Sequence, residues 1–129
     1  MRIKLTSVFV KDQEKALQFY TGTLGFVKKL DIPMGEYRWL TVVSPEEPDG
    51  TQLLLEPNNN PAAMTYQEAI YTQGIPAASF FIDDIQKEYD RLLKMGVVFK
   101  SSPTKSESAV FAIFDDTCGN LIVINQVMD

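Results

Sequence analysis

The apolar positions of this chain recur in two matching passages. SVFVKDQEKALQFYTGTLGF (Ser7–Phe26) aligns with SFFIDDIQKEYDRLLKMGVV (Ser79–Val98). Each opens on a short β-branched and aromatic run that predicts a strand, meets an aspartate (Asp12 or Asp84), and continues for about eleven residues at helical spacing. A carboxylate at that point accepts from the free amides of a first helical turn, so both aspartates read as N-caps. Ile85, Tyr89, Leu92 and Leu93 then fall at i, i+4, i+7 and i+8, a single stripe to bury, and Ala16, Leu17 and Tyr20 begin the same stripe in the first passage. Gly25 and Gly96 supply the left-handed residue on which such helices end.

Three strand patterns follow each helix: Phe26–Asp31, Tyr37–Val43 and Gln52–Glu56 in the first half, then Val97–Lys100, Ala109–Phe114 and Asn120–Asn125 in the second. In YRWLTVV, strict alternation puts Tyr37, Trp39, Thr41 and Val43 on one face and Arg38, Leu40 and Val42 on the other. PEEPDG (Pro45–Gly50) and DDTCG (Asp115–Gly119) are the corresponding turns. Each half therefore reads β-α-β-β-β. The expected class is α+β, two tandem modules forming a curved mixed sheet around a central cavity, in a single domain spanning residues 1–129. Module one covers about 1–58, a linker helix about 61–73 with Pro61 near its first position, and module two about 75–129. One helix covers only one face of a four-stranded sheet, so the other faces must line a hollow, within one chain or shared by two.

Composition narrows the partners. The 129 residues are 45% apolar and 22% charged, enough for a packed core without staples. A net charge of −5, with basic residues scattered and no run longer than Lys28-Lys29, disfavours nucleic acid. No apolar stretch approaches the length that spans a bilayer, and MRIKLTSVFV runs straight into a strand pattern instead of a leader, so a cytoplasmic location is expected. A single cysteine, Cys118, excludes an internal disulfide and lacks a histidine to activate it as a nucleophile. The count that matters most is zero histidines. Any metal would have to be held by carboxylate, amide and water oxygens alone.

The paired passages, with PDGTQLLLEP and FDDTCGNLIVI in their places, resemble the vicinal oxygen chelate superfamily of glyoxalase I, extradiol dioxygenases, fosfomycin-resistance enzymes and bleomycin-resistance proteins. The resemblance covers nearly the whole chain. In metal-dependent members it implies ligands on the first and last strands of each half. Those positions fall here on Leu5 and Ala77, seven before each capping aspartate, on Val123, and on either Gln52 (from the family's usual wording) or Leu54 (from internal symmetry). One amide and one neighbouring carboxylate, Glu56, do not hold a divalent cation against its hydration. No metal or other cofactor is expected.

The expected pocket comprises Leu5, Phe9, Trp39, Gln52, Leu54, Glu56, Ala77, Phe81, Phe111 and Val123. Trp39 would stack a flat ligand, or serve as a core tryptophan; for Phe9, Phe81 and Phe111 core packing is the default reading and a pocket wall the alternative. Glu56 is the sole inward carboxylate candidate for catalysis, set against a solvated glutamate before Pro57. The expected function is a metal-free protein that binds a small, partly aromatic or hydrophobic molecule. The alternatives are a lactoylglutathione lyase-like or dioxygenase-like enzyme with a degenerate metal site, and a non-catalytic structural or regulatory module with a closed pocket. The resemblance also implies a homodimer, with MTYQEAIYTQG (Met64–Gly74) packing on its own chain or a partner.

Overall fold

Both aspartates cap their helices. Asp12 Oδ1 accepts from the Lys15 amide at 3.0 Å and Asp84 Oδ1 from the Lys87 amide at 3.1 Å, three residues on in each case. The computed structural model describes residues 1–128. In chain order the elements are β1 (Leu5–Val10), α1 (Gln13–Leu17), a π-helical segment (Gln18–Thr23), β2 (Val27–Met34), β3 (Tyr37–Val43), β4 (Gln52–Pro57), α2 (Pro61–Thr72), β5 (Ala78–Phe81), α3 (Ile85–Lys94), β6 (Phe99–Lys105), β7 (Ala109–Asp115) and β8 (Leu121–Val127). They form two compact units, Met1–Tyr66 and Gln67–Asp129, with the division falling inside α2.

Each unit is a four-stranded mixed sheet with a helix on one face. The strand orders, β1-β4-β3-β2 and β5-β8-β7-β6, are the same topology written twice. The first strand of each pairs parallel with the last, because the chain crosses over through a helix, and every other pairing is antiparallel. In the first unit Val8, Val10, Leu40, Val42, Leu53 and Leu55 face the helix and are buried with Ala16, Leu17 and Tyr20. In the second, Ala112, Phe114, Ile122 and Ile124 lie beneath Ile85 and Leu92.

Three expectations need correction. The first helix is not a uniform α-helix: five α-helical residues give way to six π-helical ones. The Thr21 hydroxyl donates to the Leu17 carbonyl at 2.6 Å, and Leu24 N reaches back five residues to Phe19 O. The wider turn keeps Tyr20 fully buried, stacked 6.5 Å from Phe26. In α3 the stripe runs through Ile85, Tyr89 and Leu92, whereas Leu93 is 45% exposed. The helix closes as a Schellman turn on Gly96 (φ 87°), with Val97 N donating to Leu92 O and Gly96 N to Leu93 O. Finally, β2 and β6 run on through Pro33 and Pro103. Both are edge strands, where a missing ladder donor is tolerated.

The DDTCGN turn is a closed polar knot. Asp116 is fully buried; its Oδ1 accepts from the amides of Cys118 (2.7 Å) and Asn120 (3.0 Å), and its Oδ2 from Asn120 Nδ2 (2.8 Å). Gln67, on the buried side of α2, donates to Cys118 O and Asn120 Oδ1. Tyr71, one turn further on, donates to the Asp115 carboxylate. That hydrogen bond, then partial burial and the charges of Asp115 and Asp116, push the Tyr71 phenol above its ordinary value. Along α2, Ala63 and Gln67 are buried while Met64 is 49% exposed.

Candidate functional site

The two units differ where their central strands meet. In the second, β7 and β8 stay paired from Ala109↔Val127 to Asp115↔Leu121. In the first, β3 and β4 are paired only at Thr41↔Leu54 and Val42↔Leu53. Continuing that register would set Leu40 against Leu55 and Trp39 against Glu56, but the strands part instead. Pro57, next along β4, has no amide to offer a ladder.

Gln13, in the first turn of α1, fills the gap from the helix side. Its Nε2 donates to Arg38 O (2.7 Å) and Leu55 O (2.9 Å), and its Oε1 accepts from Arg38 N (3.0 Å). One side-chain amide thus replaces the cross-strand bonds that the splay removes. Arg38 is fixed on the same face: Nε and Nη2 donate to the two oxygens of Asp31 at 3.0 and 2.7 Å, and Nη1 to Glu14 at 2.8 Å. This bidentate pair pulls the Asp31 carboxyl down to about 2 and raises the Arg38 guanidinium further.

On the other face the splay opens a hollow of about 420 Å³, walled by Leu5, Ser7, Trp39, Leu54 and Glu56 and also bordered by Thr6, Arg38 and Pro57. A second hollow of about 550 Å³ adjoins it and shares Glu56 and Pro57; its further walls include Phe9, Asn59, Asn60 and Tyr66. Leu5 is 43% exposed, and Trp39 and Glu56 are half-buried. The structure therefore brings Leu5, Trp39, Leu54 and Glu56 around one space and sets Phe9 beside it, across from Glu56 in the β1–β4 register. Gln52 shares their face but does not border the hollow; its Oε1 accepts from the buried Thr41 hydroxyl at 2.7 Å. Ala77, Phe81, Phe111 and Val123 stand on the open face of the second unit's sheet, where Phe81 is 67% exposed.

The strand registers decide which last-strand residue is equivalent in the two halves. Leu54 lies opposite Ser7, and Val123 opposite Ser79, the matching serine of the repeat. Leu54, not Gln52, is thus the counterpart of Val123. The four positions that the resemblance implies for metal ligands carry Leu5, Leu54, Ala77 and Val123, none with a donor atom in its side chain. Gln52, the other reading, has its amide oxygen engaged by Thr41. Among the described residues no group of three or more Asp, Glu, Cys or His side chains is arranged to hold an ion. The residues do not fit a metal.

Sequence reasoning missed Gln13 and Ser7. A polar residue one place after a helix cap reads as solvent-exposed, and only its contacts with residues 25 and 42 positions away reveal its work.

Comparison with known proteins agrees with this architecture. A Bacillus subtilis (strain 168) protein, uncharacterized YurT, is 58% identical over 126 residues, covering 98% of this chain and 99% of the relative. Among solved structures, UcmS2 superposes with a TM-score of 0.83 at 30% identity over 97% of each chain. TnmS3, described as an antibiotic binding protein from Streptomyces sp. CB03234, superposes with a TM-score of 0.77 at 29% identity, covering 99% of this chain and 97% of its own. The profile of the Glyoxalase/Bleomycin resistance protein/Dioxygenase superfamily matches residues 2–124, and the chain belongs to that superfamily.

Proposed function

We propose that this protein binds a small, partly aromatic or hydrophobic molecule against the open face of its first sheet, without a metal and without turning it over chemically. The observation that carries the reading is the hollow opened by the β3–β4 splay, walled by Leu5, Trp39 and Leu54. Apolar and aromatic walls with few polar groups suit retention of a flat molecule by burial and stacking. The antibiotic-binding description of TnmS3 supports the same class of function. The donor-poor ligand positions argue against metal-assisted lyase or dioxygenase chemistry at this site.

Trp39 is the only tryptophan, so its emission reports this hollow alone. Titration with a panel of planar aromatic compounds should give a saturable change with at least one. Leu54→Glu, which places a carboxylate in the floor, should abolish it. A silent panel, confirmed by equilibrium dialysis, overturns the reading, as does a stoichiometric divalent metal in protein purified without chelator. The reading includes a homodimer, supported by the apolar side chains exposed on both open faces: Ile32 and Met34 on one, Phe81 and Val127 on the other. Light scattering should then return twice the chain's 14.5 kDa.

A further inference from the structure

Glu56 stands where the two hollows of the first unit meet. Because proline follows it, its backbone is held extended and its side chain stays on the open face with Leu54. No ion pair among the described residues involves it. The one cationic residue in the adjoining wall, Arg38, is already committed to Asp31 and Glu14. The carboxylate is therefore an uncompensated charge between an apolar space and one of mixed lining.

The mixed space offers little to an anion. It borders the amino end of α2, but Pro61 has no amide, Ala62 N donates to Asn60 Oδ1, and Met64 N to Asn60 O. Beyond Glu56, it presents the exposed Asn59, the Tyr66 ring, 59% exposed, and an apolar wall that includes Phe9 and Ala62.

From this placement we infer that Glu56 is the specificity-determining residue of the site, selecting an elongated ligand whose aromatic part lies on Trp39 and Leu54 and whose protonated amine reaches the Glu56 carboxylate. This rests on the binding function proposed above and adds the ligand's charge and shape. A carboxylate already half-buried against apolar walls gives a charge-assisted hydrogen bond to an ammonium group, stronger than a neutral one. A neutral molecule of the same ring would leave that carboxylate covered and unmatched.

The test uses three probes with a common ring system: neutral acridine, acridine-9-carboxylate, and an acridine bearing a short aminoalkyl chain. Each is titrated at neutral pH and low salt against the native chain and Glu56→Gln, with Trp39 emission as readout. The aminoalkyl acridine should bind the native protein about tenfold more tightly than acridine, and the carboxylate most weakly. Glu56→Gln should bring all three within about twofold of one another, and an unchanged circular-dichroism spectrum and melting temperature show that the variant is folded. Equal binding of the three probes by the native protein, or a cation preference that survives in Glu56→Gln, overturns this inference and leaves the binding function standing. Failure of every probe to bind overturns both.

Discussion

Gln13→Leu tests whether the splay between β3 and β4 is held open by one side chain. Leucine has nearly the volume of glutamine, so the substitution removes hydrogen bonds without opening a cavity. Three are lost: two donated to Arg38 O and Leu55 O and one accepted from Arg38 N. Gln13 is only 9% exposed, so water replaces few of them. At about 1 kcal/mol for each bond, with an added penalty where a backbone group is left dry, the loss should be about 3 kcal/mol. That is a large fraction of the roughly 5–15 kcal/mol by which domains are stable, and corresponds to about 10 °C in melting temperature. Urea unfolding followed by Trp39 emission reports on the unit concerned, since that ring flanks the splay. Gln18→Leu is the control. Its amide donates only to Glu14 at the surface, so it should shift stability by less than about 0.5 kcal/mol. A loss under about 1 kcal/mol for Gln13→Leu, at unchanged urea dependence, would mean that the parted strands find other partners, and the account of the hollow would fail.

Other outcomes follow from the same contacts. Asp31 is held at about 2 by Arg38, below its ordinary 3.8, so the stability it contributes is whole above pH 4 and drains away as pH falls through about 2. The gap in urea midpoint between the native chain and Asp31→Asn should narrow across that interval; a gap constant from pH 5 to 2 would refute the pairing. Cys118 is 1% exposed, so Ellman's reagent should leave it unmodified in the native state and label it on unfolding. Fast native labelling would contradict the closed turn. Asp116→Asn replaces an acceptor of three hydrogen bonds with a group that cannot accept them all, and should cost about 2 kcal/mol by thermal melt. Gly96→Ala, at φ 87°, should cost about 1 kcal/mol in the same assay.

Much of the fold was legible because its signals are local. The capping aspartates, the closing glycines and the alternation of Tyr37–Val43 each depend on residues within a few positions. Leu5 and Leu54 came from the family resemblance and the internal repeat, Trp39 and Glu56 from strand alternation, and the structure sets all four around one hollow. Features resting on distant partners were not legible. The strand patterns ended at Asp31 and Lys100, whereas β2 and β6 continue through Pro33 and Pro103, which their edge position permits, and edge position is a property of topology. Gln67 was passed over in α2 because a buried glutamine is recognisable only beside Cys118 O and Asn120 Oδ1. The splay was invisible for the same reason. It depends on Gln13 reaching two strands at once.

The acidic turn before β8 illustrates how the fold separates structure from ligand binding. Asp116 turns inward to satisfy the amides of its own turn and the side chain of Asn120, and through Asn120 it meets Gln67 of α2. A turn so engaged is required by buried polar groups, which must be paired whatever occupies the sheet beyond. Val123, the position at issue on the following strand, sits on the opposite, open face, aligned with Ser79 and Ile113. Nothing in the turn's hydrogen bonding constrains that side chain. The same holds in the first unit, where Leu54 lies on the open face while its neighbours Leu53 and Leu55 are packed beneath the helix. Strand alternation thus lets the open-face residues set the chemistry of a hollow while the inward ones keep the sheet, so a sheet with the frame of a metal site can present a greasy wall in its place.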